Sequence, residues 1–207
     1  MAGNPATGIC SDLVIAEGGR SILAECTEWM GCEEWLTSRA ASPAIAEQIV
    51  AGVQHIAQRA LASEQSPQAA LAQIDAGLVI TPASPTLLNW RGILLAQLGD
   101  AASEDAFAQA RARQSEKDFL LERASINIQL GAGDAAIAEA DKLISLNPAL
   151  PEAYYVRASG YEIKDDIAKA IADLEQAAAL ADAQGNSALY ASARIRLGTL
   201  MQRSVQQ

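Results

Sequence analysis

The chain has 207 residues and a formal net charge of −10, and an acidic surface of this kind argues against broad binding to nucleic acid or to anionic membranes. Half of the residues are apolar but only 4% are aromatic, and much of the apolar content is alanine, which favours closely packed helices. No apolar run approaches the ~18 residues of a membrane-spanning helix, so direct membrane insertion is not expected. The start, MAGNPATGIC, lacks the pattern of a secretory signal. This favours a cytoplasmic protein, or an exported one if a signal peptide has been removed.

The N-terminal segment, residues 1–50, contains a predicted helix over residues 20–40, preceded by Gly18–Gly19 as a turn or hinge. Its apolar stripe has helical spacing and consists of Ile22, Cys26, Trp29 and Leu36. Two interpretations of Trp29 and Trp35 stay open. The segment is either a helical cap that buries a tryptophan or a partner site that exposes one.

The three cysteines are Cys10, Cys26 and Cys32. An odd number in a chain of this size suggests reduced thiols. On one continuous helix Cys26 and Cys32 would face different ways, so a disulfide between them needs a break, which Gly31 would supply. The cysteines and His55, the one histidine, have no standard metal-site spacing, so no metal or other cofactor is predicted.

A helix is next predicted over 42–63, with Ser42 as its N-cap and Pro43 at its first position. The following sequence repeats itself at intervals near 34 residues: QAALAQIDAGLVITP (68–82) matches DAAIAEADKLISLNP (134–148) and then IAKAIADLEQAAALAD (167–182). Between these lie further predicted helices with a small residue at the same place, namely Gly92, Ala124 and Ala158. Gly99 and Gly131 are helix-stop signals, and a last helix is predicted over 186–203.

This pattern resembles the tetratricopeptide repeat family over roughly residues 51–184. The best match, in 151–184, runs through Tyr154, Ala158, Tyr161, Ala170, Leu174 and Ala177. The chain departs from the family pattern at Arg91, Arg123 and Arg157, where a leucine-like residue is usual, and at Asn127. The resemblance implies an all-α fold of tandem helix-turn-helix repeats forming a right-handed α-solenoid. The implied organisation is an N-terminal helical cap (1–50), about four repeats (51–184) and a C-terminal capping helix (185–207).

The resemblance also implies a concave groove, lined by the first helix of each repeat, that accepts a peptide or a partner helix. It places the following residues there: His55, Ile56, Arg59, Asn89, Trp90, Ile93, Leu121, Glu122, Ser125, Tyr155, Val156 and Ser159. Among them, Trp90 and Tyr155 are the expected aromatic anchors.

No catalytic constellation is found: phosphate-binding loops, dinucleotide fingerprints and nucleophile-elbow motifs do not occur. LGAGD (130–134) is interpreted as a helix–helix turn. The sequence therefore favours a non-catalytic scaffold or assembly factor whose partner is another protein or a peptide, with no nucleic acid involved. The alternative is a structural subunit of a larger complex, and that complex could be a membrane-associated one. Such a subunit would dock through the N-terminal helices and the basic C-terminal helix, with Trp29, Trp35, Arg194, Arg196 and Arg203 as the secondary interface.

Overall fold

The computed structural model describes residues 16–17, 20–21, 42–64 and 66–205. The chain divides into two compact units, 1–114 and 115–207. The first unit contains two strands and four helices among the described residues: β1 (Ala16–Glu17), β2 (Arg20–Ser21), α1 (Pro43–Glu64), α2 (Pro67–Ile80), α3 (Pro85–Gln97) and α4 (Ala102–Arg111). The second contains five helices: α5 (Glu116–Gln129), α6 (Gly133–Leu146), α7 (Pro151–Ile163), α8 (Ile167–Ala183) and α9 (Ser187–Val205). The predicted all-α class with tandem helix hairpins is confirmed.

The prediction of a helix over residues 20–40 was wrong for its first two residues. Arg20 and Ser21 belong to a strand instead, because their backbone pairs in antiparallel register with Glu17 and Ala16. The rest of that predicted helix lies outside the described residues. So do Gly18–Gly19, the three cysteines and the tryptophans at 29 and 35.

Helix starts follow the chemistry of the sequence. Pro43 opens α1 as predicted, and the carbonyl of Ser42 accepts the first backbone hydrogen bonds of that helix. Serine side chains cap α2, α3 and α5: the Oγ atoms of Ser66, Ser84 and Ser115 each accept a hydrogen bond from the backbone N–H three residues later. The predicted stops at Gly99 and Gly131 are confirmed, since both have φ near +70°, where glycine is least strained.

Asp166 caps α8 with a titratable group. Its carboxylate accepts a hydrogen bond from the backbone N–H of Lys169 at 3.3 Å and pairs with the Lys169 ammonium at 2.6 Å. The side-chain hydrogen bond with Lys169 is the main cause that lowers the pKa of Asp166 below its ordinary value of 3.8. A carboxylate whose pKa is lower in the folded than in the unfolded chain stabilises the fold above the unfolded pKa. That contribution is lost as the pH falls through the folded pKa.

Asp166→Ala is therefore expected to lower the melting temperature at pH 7, and the gap from wild type should close as the pH falls to and below 3.8. Calorimetry across this pH range measures the gap. Asp182→Ala, which removes an exposed acid from the other end of α8, is the control and should cause no loss. A gap for Asp166→Ala that stays constant down to pH 2 would contradict the capping argument.

In the first unit, α1 with α2 and α3 with α4 form two neighbouring hairpins, and α2 also packs against α3. Leu87, Trp90 and Leu94 are completely buried on α3. Small residues allow the close contacts between helices: a Cβ on Gly77 would overlap the Val53 side chain, and a Cβ on Gly92 would overlap the Phe107 ring. Gly92 is thus a packing residue, as its repeat position predicts.

In the second unit, α5 with α6 and α7 with α8 form hairpins, and α9 packs mainly on α8. Ala158, Ala170 and Ala177 are completely buried, and Leu174 fills the space between them. Ala193, Leu197 and Leu200 of α9 join the same core. The C-terminal helix predicted for 186–203 is therefore observed, and it closes the apolar face that α8 would otherwise expose.

The arginines that depart from the repeat pattern each bind a carboxylate sixteen residues away on an adjacent helix. Arg91 Nε donates to Asp75 Oδ1 at 2.7 Å, joining α3 to α2. Arg123 Nη2 lies 3.0 Å from Glu139 Oε1, joining α5 to α6. Glu139 is only 5% exposed, so this second pair compensates a carboxylate that is costly to bury alone.

Arg157 has the most partners of the three. Its Nε and Nη2 both donate at 2.8 Å to the carboxylate of Asp173 on α8, and its Nη1 donates at 2.7 Å to Asp141 on α6. The guanidinium also lies 5.5 Å from the centre of the Tyr154 ring. The hydrogen bond to Asp173 is the main cause that raises the pKa of Arg157 above its ordinary value. One arginine thus connects three consecutive helices.

Candidate partner-binding surfaces

A cleft of about 710 Å³ opens in the first unit between the N-terminal half of α1 and the connection from α2 to α3. Its α1 wall consists of side chains at helical spacing: Pro43, Ala46, Glu47, Val50, Ala51 and Gln54. The facing wall is formed by residues 80–86, which include Pro82 and Pro85. The volume is within the range of natural ligand sites, and most of the lining side chains are apolar.

The polar side chains that line the cleft have different roles. On the connection, Thr81 Oγ1 donates to the Gly77 carbonyl at 3.0 Å, and Ser84 Oγ accepts from the backbone N–H of Leu87. These two hydroxyls therefore stabilise the helix ends. Glu47, which is exposed, is the one charged side chain that the described part of the chain contributes to the cleft. The cleft consequently suits an apolar segment with a cation placed near Glu47.

Five residues predicted for the groove are buried: Ile56 on α1, Asn89, Trp90 and Ile93 on α3, and Ser159 on α7. Asn89 and Trp90 are completely buried and Ile93 is 6% exposed. The prediction was wrong for these side chains because consecutive positions from Leu87 to Trp90 are all covered, so α3 has no wide exposed face. Trp90 is a core residue and not an aromatic anchor for a partner.

The α1 residues of the predicted groove lie beyond the cleft. His55 and Arg59 are exposed and Ile56 is buried, but none of them lines the cleft. The α1 residues that do line it begin at the start of the helix, with Pro43, and end at Gln54. Sequence reasoning missed them because it placed the repeat boundary at residue 51, inside the helix that starts at Pro43.

In the second unit, Tyr155 and Ser159 surround an arginine of the last helix. The Arg196 guanidinium lies 5.2 Å from the centre of the Tyr155 ring, and its Nη1 donates to Ser159 Oγ at 2.7 Å. Its Nε lies 2.5 Å from Glu162 Oε1. The three α7 residues are spaced i, i+4 and i+7, which places them on one helix face. We call this set the α7 stripe.

The other predicted residues of the second unit are partly buried or exposed. Leu121, Glu122 and Ser125 are partly buried on α5, where Ser125 Oγ donates to the Leu121 carbonyl at 2.9 Å, and Val156 is partly buried on α7. On α9, Arg194 is exposed and Arg203 pairs with Asp165 at 3.0 Å. Of the predicted secondary interface, Arg196 is thus brought together with predicted groove residues. Glu162 is the member of this cluster that the sequence did not single out, although its i+7 spacing from Tyr155 was a usable signal.

Buried alanines recur at a fixed interval in successive hairpins. Ala124 and Ala158 are fully buried on α5 and α7, and Ala136 and Ala170 are fully buried on α6 and α8, in each case 34 residues apart. The interval, the hairpin geometry and the small residues agree. The described helices form tetratricopeptide-type repeats.

Comparisons with known proteins add several similarities to this tetratricopeptide-type fold. A family model for the D-galactarate/altronate dehydratase C-terminal domain matches residues 1–78, less than half of the chain. No curated protein matches the sequence. The similar solved structures include three with TM-scores below 0.5. Residues 41 to the end of MamA from Desulfovibrio magneticus RS-1 are 19% identical, with a TM-score of 0.35, over 76% of this chain and 96% of that one.

The other two are a tetratricopeptide repeat protein from Parabacteroides merdae and the type IV pilus biogenesis factor PilW. The first is 17% identical with a TM-score of 0.42, over 86% of this chain and 68% of that one. PilW is 15% identical with a TM-score of 0.36, over 86% and 98% of the two chains. The assignment of the fold therefore depends on the packing and period of this chain's own helices.

Two kinds of feature are absent from the described residues, namely membrane-spanning helices and clusters of metal ligands. None of the described helices is both long and apolar enough to cross a membrane. Over the same part of the chain, no three histidine, cysteine, aspartate or glutamate side chains lie together as metal ligands would.

Proposed function

We propose that this protein is a non-catalytic scaffold that binds an apolar segment of a partner protein in the α1 cleft of its first unit. The observation that carries the proposal is the cleft itself: about 710 Å³, mostly apolar walls and, among the described residues that line it, a single carboxylate, Glu47. The described residues that line it include no histidine, cysteine or lysine, and the Thr81 and Ser84 hydroxyls already make hydrogen bonds at the helix ends. Binding, and not chemistry, is what this arrangement supports.

The walls define what such a partner segment carries. Each apolar side chain that becomes fully buried there contributes roughly 1.5–3 kcal/mol before the cost of ordering the segment. A lysine or arginine beside Glu47 adds specificity and faster association more than affinity, because the carboxylate is exposed and screened by salt. We therefore expect a short segment with two or three apolar side chains next to a basic one.

The test is selection of peptides from a random display library on the intact protein, followed by fluorescence anisotropy with the selected peptides. Ala51→Trp, which fills the cleft from an exposed position, is expected to weaken binding at least tenfold. Glu47→Gln is expected to reduce the salt dependence of binding with a smaller loss of affinity. His55→Ala, an exposed change on the same helix outside the cleft, is the matched control and should bind as wild type. Peptides that bind Ala51→Trp as tightly as wild type would refute the cleft as the site.

The subunit alternative is favoured by a different observation on α9. Tyr190 is 38% exposed, Ile195 is 73% exposed and Met201 is 43% exposed. Large exposed apolar areas mark docking surfaces, and Ile195 is the most exposed large apolar side chain among the described residues. If this surface holds the protein in a complex, Ile195→Lys weakens that association and leaves peptide binding in the cleft unchanged, whereas Ala51→Trp does the reverse.

A further inference from the structure

We propose that the α7 stripe (Tyr155, Ser159 and Glu162) is a binding site for an arginine side chain of a partner protein, and that Arg196 occupies it in the free protein. This site lies in the second unit and is independent of the α1 cleft. Its occupant is an arginine-bearing segment, which exchanges with the chain's own arginine.

The three side chains of the α7 stripe contact three different features of a guanidinium. Tyr155 presents its ring face at 5.2 Å, Ser159 Oγ accepts at 2.7 Å, and Glu162 Oε1 lies 2.5 Å from Nε. A planar guanidinium stacks on an aromatic face while its edge donates hydrogen bonds, whereas a lysine ammonium is a compact, strongly hydrated charge. The stripe therefore selects arginine over lysine by its planar shape and by the positions of its N–H donors.

Arg196 can leave without unfolding its helix. Its side chain is 28% exposed, so the released guanidinium passes into water and not through a core. The helix is held by Ala193, Leu197 and Leu200, which are buried against α8 and its neighbours. A second ion pair, Arg203 with Asp165, binds the far end of α9. Exchange at the stripe thus moves one side chain and leaves α9 in place.

The stripe also specifies the charge of its occupant. Once Arg196 swings out, the Glu162 carboxylate, whose side chain is only 19% exposed, has lost its cation. A partly buried carboxylate without a cation is unfavourable, so an acidic or neutral side chain is a poor replacement. A partner arginine restores all three contacts, and the free protein keeps the site closed to weaker ligands because its own arginine competes.

The experiment is an NMR titration of the full chain with N-acetyl-arginine amide, using N-acetyl-lysine amide as the matched probe. In Arg196→Ala, the arginine probe is expected to shift the Tyr155 ring signals saturably, at a concentration at least tenfold lower than in wild type. The lysine probe should give no saturable shift. Adding Glu162→Gln to this variant should abolish the response, while Arg194→Ala, an exposed arginine on the same helix, should behave as wild type.

Wild type supplies a readout that does not depend on any variant folding. If the proposal holds, the arginine probe moves the Arg196 Nε signal towards that of a free guanidinium, and the lysine probe does not. The proposal is overturned if the Arg196 signal stays unchanged in wild type and the arginine probe causes no saturable Tyr155 shift in a cooperatively folded Arg196→Ala chain. The contact would then only stabilise the fold. Equal responses to arginine and lysine would also overturn the proposal. None of these results depends on peptide binding in the α1 cleft.

Discussion

Gly160→Val is expected to destabilise the second unit by about 2 kcal/mol, within the usual range for overpacking a closely packed contact. A Cβ at Gly160 would lie 2.7 Å from Ile137 Cγ1 and 3.1 Å from the backbone oxygen of Gly133. The side chain of Ile137 can adjust, but the Gly133 oxygen belongs to the first turn of α6 and cannot move without the helix. Valine adds two methyl groups to this contact. Thermal unfolding followed by circular dichroism is the measurement, and each kcal/mol is worth roughly 2–4 °C in a chain of this size.

Gly198→Ala is the matched control for this substitution. Gly198 is also inside a helix, α9, but a Cβ added there meets nothing within 4 Å. Alanine costs less entropy than glycine in a helix, so this variant is expected to be more stable than wild type by about 0.5–1 kcal/mol. The two glycine substitutions should therefore shift the melting temperature in opposite directions. A gain in stability for Gly160→Val would show that α6 and α7 do not approach each other as described.

Arg157→Leu is expected to cost about 2–3 kcal/mol. The value is somewhat below the usual cost of breaking a buried pair, because the arginine side chain is 22% exposed. Asp173, whose side chain is only 9% exposed, loses both of its hydrogen bonds from the guanidinium, and Asp141 loses one. The cost therefore arises mainly from the buried carboxylate that is left behind. Urea denaturation measures it as a shift in midpoint at constant slope.

The double variant Arg157→Leu/Asp173→Leu tests this explanation. Because apolar residues of similar size often replace a buried ion pair at little cost, the double variant should recover much of the stability that the single variant loses. Arg91→Leu is the control, because its partner Asp75 has a side chain 47% exposed and exposed pairs contribute about 1 kcal/mol or less. A double variant as unstable as the sum of both single changes would contradict the role given to Asp173.

The repeat pattern predicted those features that depend on neighbouring helices of the same hairpin. Ala158 and Ala170 are buried where the 34-residue interval placed them, and the chain reverses at Gly99 and Gly131 as predicted. These positions follow from local geometry: a small residue is needed where backbones approach, and a positive φ favours glycine. A single sequence contains both signals directly.

Features that depend on a third element could not be predicted in the same way. The family resemblance placed Trp90 in the groove, but α3 is covered on consecutive positions and the indole is buried. Tyr155 and Ser159 were placed towards a partner, and the structure shows Arg196 of α9 in contact with both. In the sequence, Arg91, Arg123 and Arg157 are departures from the repeat pattern. The structure shows that each of them pairs with a carboxylate on an adjacent helix. The spacing of residues in a sequence predicts which of them share a helix face. It does not predict which charged side chain of another helix contacts that face.

The three-helix bridge made by Arg157 bears on how the second unit opens. In an array where each repeat touches only its neighbours, stability is the sum of repeat terms and interface terms, and such arrays can fray from an end. Arg157 binds Asp173 within its own hairpin and Asp141 in the preceding hairpin. It therefore stabilises both the repeat itself and its interface with the neighbouring repeat. Loss of α8 removes both hydrogen bonds from Arg157 to Asp173 and leaves the guanidinium with Asp141 alone, which makes separate opening of α8 less favourable. The bridge therefore favours joint opening of α6, α7 and α8 over separate loss of α8.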